Sequence, residues 1–523
     1  MTGMSTFLGA FVRRDRWTYL WWALGVVALY YSQGVSVKGL YTTQADFDRA
    51  AASMQANTAF VAMLGPARAL DTVGGQVMWQ SAAFGAALAG LMSMFLIGRH
   101  TRAEEESGRD ELLRASPVTR HSSLTAALVN ALLANLLLGL LVTVSLVILP
   151  LGTTDSLGVG VGLTCTGWVY TGTALVAAQL TSSTRSMYGV AGAVIGASYA
   201  LRAVGDVGSP ALSWLTPIGW YQAMDPFSGL RWWPVLLLLG AAALAVGTGY
   251  ALFARRDFGG GLWATRPGAA RATAALSSPF GFAWQLQRAP VLGWSLGMLL
   301  MGLAYGSIGN DVGTLIGDSQ ASKDVFVQGG GSQVDGFYAV AIVTLALLAA
   351  GFTVSSALRP RSEEDEGRVE ALLSTGLSRR RWLLAQVMTT VAGTVLVLLM
   401  SGVGLGLGYA LVTGDSGRFV PFVSDTLGYV APNLVLAGLA RLLYGAVPRW
   451  SFLAWLGLVI GAVVVFFGPL LRIPSRVQGL SPYHHLALVP AEPFRWTPFV
   501  ILLALGGVLS ATGQLAFTRR DVP

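Results

Sequence analysis

The sequence predicts an all-α polytopic membrane protein with about twelve transmembrane helices, arranged as a tandem parallel repeat of two six-helix units. Three observations carry that expectation. Apolar runs of about 20 residues, enough to span roughly 30 Å of hydrocarbon as a helix, recur along a 523-residue chain that is 54% hydrophobic, with mean hydropathy +0.60. The runs are continuous rather than alternating, and backbone in lipid must satisfy its own hydrogen bonds, so helices are favoured over a barrel. A densely charged island also occurs twice, in a chain with only 11% charged residues. Residues 104–120 read EEESGRDELLRASPVTR and residues 363–379 read EEDEGRVEALLSTGLSR, in register at an offset of 259 (367 − 108 and 379 − 120).

In chain order, residues 5–16 place Phe7, Leu8, Phe11 and Val12 on one helical face ahead of Arg13, Arg14 and Arg16, as in a short helix on the membrane surface. Trp17–Val35 is the first span, opening with an aromatic belt. A polar outer segment, 36–75, contains a helix-compatible stretch, ADFDRAAASMQANTAFVAML. Gln76–Ile97 then delivers the first island to the inner side. Leu124–Leu151, Val159–Leu180, Met187–Ala203 and Pro234–Phe253 complete the first unit. Before the last of these, the Pro-, Gly- and Trp-rich residues 204–232 are too broken for a span and too apolar for a solvated loop, which predicts short interfacial or re-entrant helices.

The expected domains are 1–256, a cytoplasmic linker at 257–277 punctuated by Gly, Pro and Arg, and 278–523. Ser278-Pro279 opens a second surface helix as cap and first turn. Arg288, Trp294 and Gly297 answer Arg16, Trp22 and Gly25 at an offset of 272 (288 − 16). The second set of spans is Pro290–Ile308, Phe337–Leu358, Trp382–Val412, Val423–Tyr444, Phe452–Leu471 and, after a broken outer segment at 473–496, Thr497–Phe517. FARRDF at 253–258 recurs as FTRRDV at 517–522. Arginines cluster at the turns assigned to the cytoplasm, which places both termini and both islands inside and residues 40–75 and 311–335 outside.

Several function classes are set aside by composition. The net charge of +8 comes from arginines flanking apolar runs, so it reflects topology rather than a nucleic-acid surface. Cys165 is the sole cysteine, which removes intramolecular disulfides and cysteine metal sites. The amino terminus lacks a cleavable signal pattern. No G-x-x-x-x-G-K-[ST] run exists, so the chain has no phosphate loop of its own. His484-His485 reads as an interfacial pair, and no metal or catalytic constellation stands out.

Within each island a run of acids precedes a glycine, Arg follows it, and Glu comes two residues later. Helical continuity would make Glu105–Arg109 and Glu364–Arg368 i,i+4 pairs worth a few tenths of a kcal/mol. Ser116-Pro117 and Thr375-Gly376 stop the turn, and Thr119 or Ser378 can cap the next span. Topology needs only basic residues, so acids recurring in register point to docking elements.

The islands resemble the first cytoplasmic loop of type-2 ABC-transporter permeases, in its acidic stretch, Gly-x-x-Glu, Leu pair and Ser/Thr-Arg before an outward span. The whole plan of each half matches that family's unit, and the double length resembles actinobacterial exporters of polyketide and ionophore antibiotics. Arg109 and Arg368 stand where a small Thr is common, and Gly376 replaces a proline. The resemblance implies the membrane subunit of an ATP-driven exporter of hydrophobic compounds, itself not an enzyme. It implies coupling residues Glu104, Glu105, Glu106, Gly108, Arg109 and Glu111 in the first island. In the second they are Glu363, Glu364, Asp365, Gly367, Arg368 and Glu370. Two copies of a separate ATPase would bind ATP and Mg, no cofactor sits on this chain, and the other partners are the plasma-membrane bilayer and a hydrophobic small molecule. Trp220, Tyr483, Asn130 and Asn433 are candidates for the substrate pathway.

A proton-driven antiporter is the rival reading. It needs titratable groups within the membrane, and the spans offer mainly Asp425, near an outer end, and Arg441, near an inner end where it could snorkel. Neutral Asn130, Asn135, Gln386 and Asn433 serve more often as helix–helix glue. An importer permease lacks support, because neither island ends in an Ile-x-Leu-Pro run.

Overall fold

The computed structural model describes residues 3–41, 43–56, 58–108, 119–257, 259–263, 271–309, 332–467 and 474–520. Arg109, Glu111, residues 258 and 264–270 of the linker, and residues 310–331 lie outside the described residues. Every regular element among the described residues is helical. Eleven helical stretches there are long and apolar enough to cross a membrane. The chain divides into two compact units, Met1–Gly268 and Ala269–Pro523.

The first unit opens with α1, Met4–Leu40, a single 37-residue helix. The expected surface helix and first span are therefore one rod, because nothing between Arg16 and Trp17 breaks the backbone ladder. Its buried residues, Phe7, Phe11, Asp15, Ala23, Val26, Tyr30, Gly34 and Val37, form one stripe along the whole length. It is not among the eleven apolar stretches, since tryptophans and tyrosines interrupt its aliphatic run. Two helices, α2 (Gln44–Ala56) and α3 (Thr58–Leu64), follow in the polar segment after it. Next come α4 (Val73–His100) and the short α5 (Arg102–Glu106).

The other long helices of this unit are α6 (Ser122–Ile148), α7 (Thr153–Leu180) and α8 (Thr184–Val207). The broken stretch at 204–232 forms α9 (Pro210–Ser213) and α10 (Pro217–Gln222), each with proline in its first turn, before α11 (Pro234–Arg255). Small residues and alanines let α4 and α7 become the most enclosed helices of the unit.

The second unit begins with α12, Pro279–Gly306, capped by Ser278, whose side chain accepts from the Gly281 N–H at 3.0 Å. Pro290 lies inside this helix with its ring exposed, so here too the expected surface helix and span are continuous. The chain continues through α13 (Gln333–Ala357), α14 (Arg359–Asp365), α15 (Arg368–Leu373) and α16 (Arg379–Thr413). The span expected at 423–444 is broken at Tyr429 into α17 (Phe419–Gly428) and α18 (Val430–Ala446). Then come α19 (Ala454–Phe467), α20 (Ser475–Gln478) and α21 (Trp496–Arg519).

Glycines set the close packing of this unit. A Cβ at Gly306 would lie 2.1 Å from the Leu405 carbonyl oxygen, and one at Gly404 would lie 2.1 Å from that of Leu299. The α12–α16 contact is thus backbone against backbone, the small-residue packing open to helices in lipid. Gly445 and Gly513 bring α18 against α21 in the same way, with a Cβ at Gly445 only 2.0 Å from the Gly513 carbonyl oxygen.

Candidate functional site

The second island is visible through its turn. α14 ends at Asp365, and Gly367 takes φ +70°, a left-handed conformation that a side chain disfavours. α15 then starts in a new direction. Its Val369 is buried with Trp382, Leu383, Tyr444 and Phe517, and Leu372 and Leu373 pack against that cluster. Gly376, at φ +83°, turns the chain again, and Ser378 caps α16 by accepting from the Arg381 N–H at 3.4 Å. Asp365, Glu366, Arg368 and Glu370 are left exposed.

The left-handed glycine overturns one expectation. Glu364 and Arg368 are not i,i+4 partners, because Gly367 ends the helix between them. Glu364 is buried and faces the end of the last helix, where Arg520 donates Nη1 to Oε1 at 2.8 Å and Nη2 to Oε2 at 2.5 Å. Tyr444 donates its hydroxyl to the same carboxylate at 2.6 Å. Arg368 instead donates Nε to Glu363 at 2.5 Å and also binds Glu366. The Glu363 hydrogen bond raises the Arg368 pKa above the ordinary arginine value. Glu363 is further held by Arg359 at 2.6 Å, and Asp365 by Arg361 at 2.8 Å.

The first island has the same kind of anchor. Gly108 also has φ +70°, and the helix that carries Glu105 ends at Glu106. Glu105 accepts both guanidinium nitrogens of Arg256, with Nη1 at 3.0 Å, and Nη1 of Arg102 at 3.0 Å. Arg102 is itself buried and donates Nη2 to the Gly260 carbonyl at 2.9 Å. Glu104 pairs with Arg14 of α1. Glu106 accepts from the Thr184 N–H at 3.0 Å and from its hydroxyl at 2.5 Å, capping the start of α8. All three acids therefore bind within the unit. Thr119 bonds Ser122 at 2.6 Å instead of capping α6.

Beside this island lies a cluster that sequence reasoning missed. Asp15 is fully buried, bonded to His100, to the Asn130 amide at 3.1 Å and to Arg99 at 3.0 Å. Asn130 also accepts from the Tyr19 hydroxyl, and His100 stacks on Phe11 at 4.0 Å between ring centroids. Asn130 thus joins helices at the island end of the unit. In the second unit the first helix instead carries buried Gln287, bonded to Gln386 at 3.0 Å and Ser356 at 2.6 Å.

The remaining pathway candidates fall in two places. Trp220 donates its indole N–H to the Trp214 carbonyl at 2.6 Å, and Trp214 stacks on Trp233 at 5.2 Å. A cavity of about 300 Å³ lies beside them, with Arg68, Asp206, Asp225 and Gln222 in its wall. Burial, followed by repulsion from Arg231, lowers the Arg68 pKa, and Arg68 is paired with Asp225. In the second unit Tyr483 donates to Asn433 Oδ1 at 2.6 Å, so these two meet in one buried hydrogen bond.

Arg441 does not snorkel. It is 3% exposed, its Nη1 donates to Ser510 at 3.1 Å, and its Nη2 has no partner among the described residues. Its backbone lies against Gly513, which draws that stretch of α18 into the interior. His485 Nε2 bonds the Gly479 carbonyl oxygen at 2.8 Å.

A family model described as "Multidrug efflux system permease Rv1217c, C-terminal domain" matches residues 4–254 and 276–518. The chain belongs to this family of multidrug efflux permeases. Similarity extends to the multidrug efflux system permease protein Rv1217c of Mycobacterium tuberculosis (strain ATCC 25618 / H37Rv). The two are 38% identical over 526 residues, covering 100% of this chain and 95% of the mycobacterial protein. This Rv1217c-family permease is accordingly a multi-pass membrane protein, in keeping with the eleven candidate spans among the described residues.

Proposed function

We propose that this permease is the membrane subunit of an ATP-driven ABC exporter that moves hydrophobic compounds, antibiotics among them, with two copies of a separate ATPase docked on its two islands. The observation carrying the proposal is the architecture of α15. A short amphipathic helix presses Val369 onto α16, α18 and α21 while Glu370 faces solvent without an ion pair among the described residues. Glu364, three residues before the left-handed Gly367, is locked to Arg520, just beyond the last helix. Force applied to such an element passes into the bundle because packed helices shift as units. Glu105 and Arg256 supply the same lock in the first unit. Under this reading both islands and both termini are cytoplasmic, and Trp220 and Tyr483 belong to segments on the exit side.

A proton-driven reading draws its own support from the buried Asp15–His100 pair, since a buried histidine paired with a carboxylate can pass a proton as well as join helices. Susceptibility separates the two. A host lacking its own pumps should gain tolerance to lipophilic drugs when the chain is expressed with its ATPase. Mutation of the ATPase phosphate-loop lysine should abolish the gain. Tolerance that survives this mutation and collapses with the proton gradient supports the antiporter instead.

A further inference from the structure

At the island end of the second unit, a groove of about 720 Å³ runs between the start of α12 and the turn joining α15 to α16. That volume lies within the range of sites that enclose drug-sized ligands. Its two ends differ in chemistry. At one end Ser277, Thr375 and Arg381 line it. Arg381 is exposed and makes no ion pair among the described residues, and Arg379 and Arg380 precede it at the start of the span. Further along α16, Leu384 and Met388 line the other end, while Phe280 and Leu372 add apolar wall near the helix starts. Leu384 and Met388 are about half exposed, at 49% and 50%.

The groove follows the membrane. Arg381 is the third residue of α16, and Met388 lies seven residues further along the same helix. That is about 10 Å toward the hydrocarbon at 1.5 Å per residue. An occupant matching both ends has an anionic head at the interface and an apolar tail that descends beside α16. A water-soluble domain could cover the head end but could not follow the tail end into lipid. Arginine at the interface favours an anionic over a zwitterionic head group.

We propose that this groove binds one anionic phospholipid of the bilayer. Its phosphate sits at Arg381, and one acyl chain lies along Leu384 and Met388. The lipid bridges the start of α12 to the turn after α15, so head-group charge bears on the position of the second island. The site depends on the membrane placement of α16 alone, so it stands or falls separately from the ATPase reading.

The test uses the purified full chain in detergent with a fluorescent acyl-labelled phosphatidylglycerol, competed by unlabelled phosphatidylglycerol or phosphatidylcholine. Phosphatidylglycerol should bind saturably at one site and compete about fivefold better than phosphatidylcholine, the preference expected from one interfacial arginine. Arg381→Ala should abolish the preference, Arg381→Lys should restore most of it, and Arg380→Ala should leave it intact. Met388→Trp, which fills the tail end, should weaken both lipids alike. An unchanged preference in Arg381→Ala overturns the proposal. So does displacement of the lipid by a neutral lipophilic drug with no head-group preference, which makes the groove a cargo site. Stoichiometric displacement by the purified ATPase subunit also overturns it, because the groove then belongs to a protein interface.

Discussion

Glu364→Gln is the substitution that most sharply tests the island's anchor. The Glu364 side chain is 2% exposed and Arg520 is 19% exposed, with two parallel hydrogen bonds at 2.8 and 2.5 Å and a third from Tyr444 at 2.6 Å. Glutamine keeps the shape but removes the charge and turns an amide donor toward a guanidinium donor. Removing one partner of a buried pair costs roughly 3–5 kcal/mol. Arg520 can rehydrate in part, so about 2–3 kcal/mol is the expected loss. For a unit of this size, 1 kcal/mol moves the midpoint by about 2–4 °C, so the unfolding temperature should fall by about 4–12 °C. Thermal unfolding of the purified chain, followed by intrinsic fluorescence, reads this directly. Arg520→Met should destabilise similarly, and the double substitution should recover much of the loss, because replacing both members by apolar or neutral groups leaves no orphan charge. A midpoint for Glu364→Gln within 2 °C of wild type, or strictly additive effects in the cycle, refutes the anchor.

Other substitutions probe separate parts of the account. Glu370→Arg should leave unfolding unchanged, since the side chain is exposed, yet should reduce drug-stimulated ATPase activity at least tenfold if the contact with the partner is desolvated; unchanged coupling returns the island to a solvated loop. Gly513→Leu should destabilise the second unit, because a Cβ there already meets the Arg441 carbonyl carbon and oxygen at 2.6 and 2.5 Å; detergent-solubilised protein of normal midpoint would contradict the packing. Single cysteines at Ser107 and Ser53, with Cys165→Ser, should label from opposite sides of the membrane, and labelling of both from one side overturns the topology.

Much of the helical plan was legible because a span advertises itself by length and continuity. The joints were harder. Nothing in composition shows that α1 runs unbroken through Arg16, yet the fourfold spacing of Phe7 and Phe11 continues to Asp15, and that residue proves buried. Its charge favoured a surface placement, and its partners His100 and Asn130 are 85 and 115 residues away. The acids of the islands were visible, but their partners were not, because pairing by i,i+4 assumes a helix that Gly108 and Gly367 interrupt. Arg256 and Arg520 did leave a signal in the recurring Arg-Arg-Asp after each final span. Arg441 looked able to snorkel because sequence shows distance from a helix end but not the glycine contact that pulls the helix inward. Tyr483 and Asn433 stand 50 residues apart in sequence, and only the fold brings them together.

The central claim is that ATP hydrolysis by a partner drives this permease through its islands. Uptake of a lipophilic dye into inside-out vesicles containing the chain and its ATPase measures it most directly. The account predicts uptake that begins on addition of ATP, persists when a protonophore collapses the proton gradient, and falls to background with Glu370→Arg in the chain. Uptake that needs the gradient, ignores ATP and is indifferent to Glu370→Arg would contradict it.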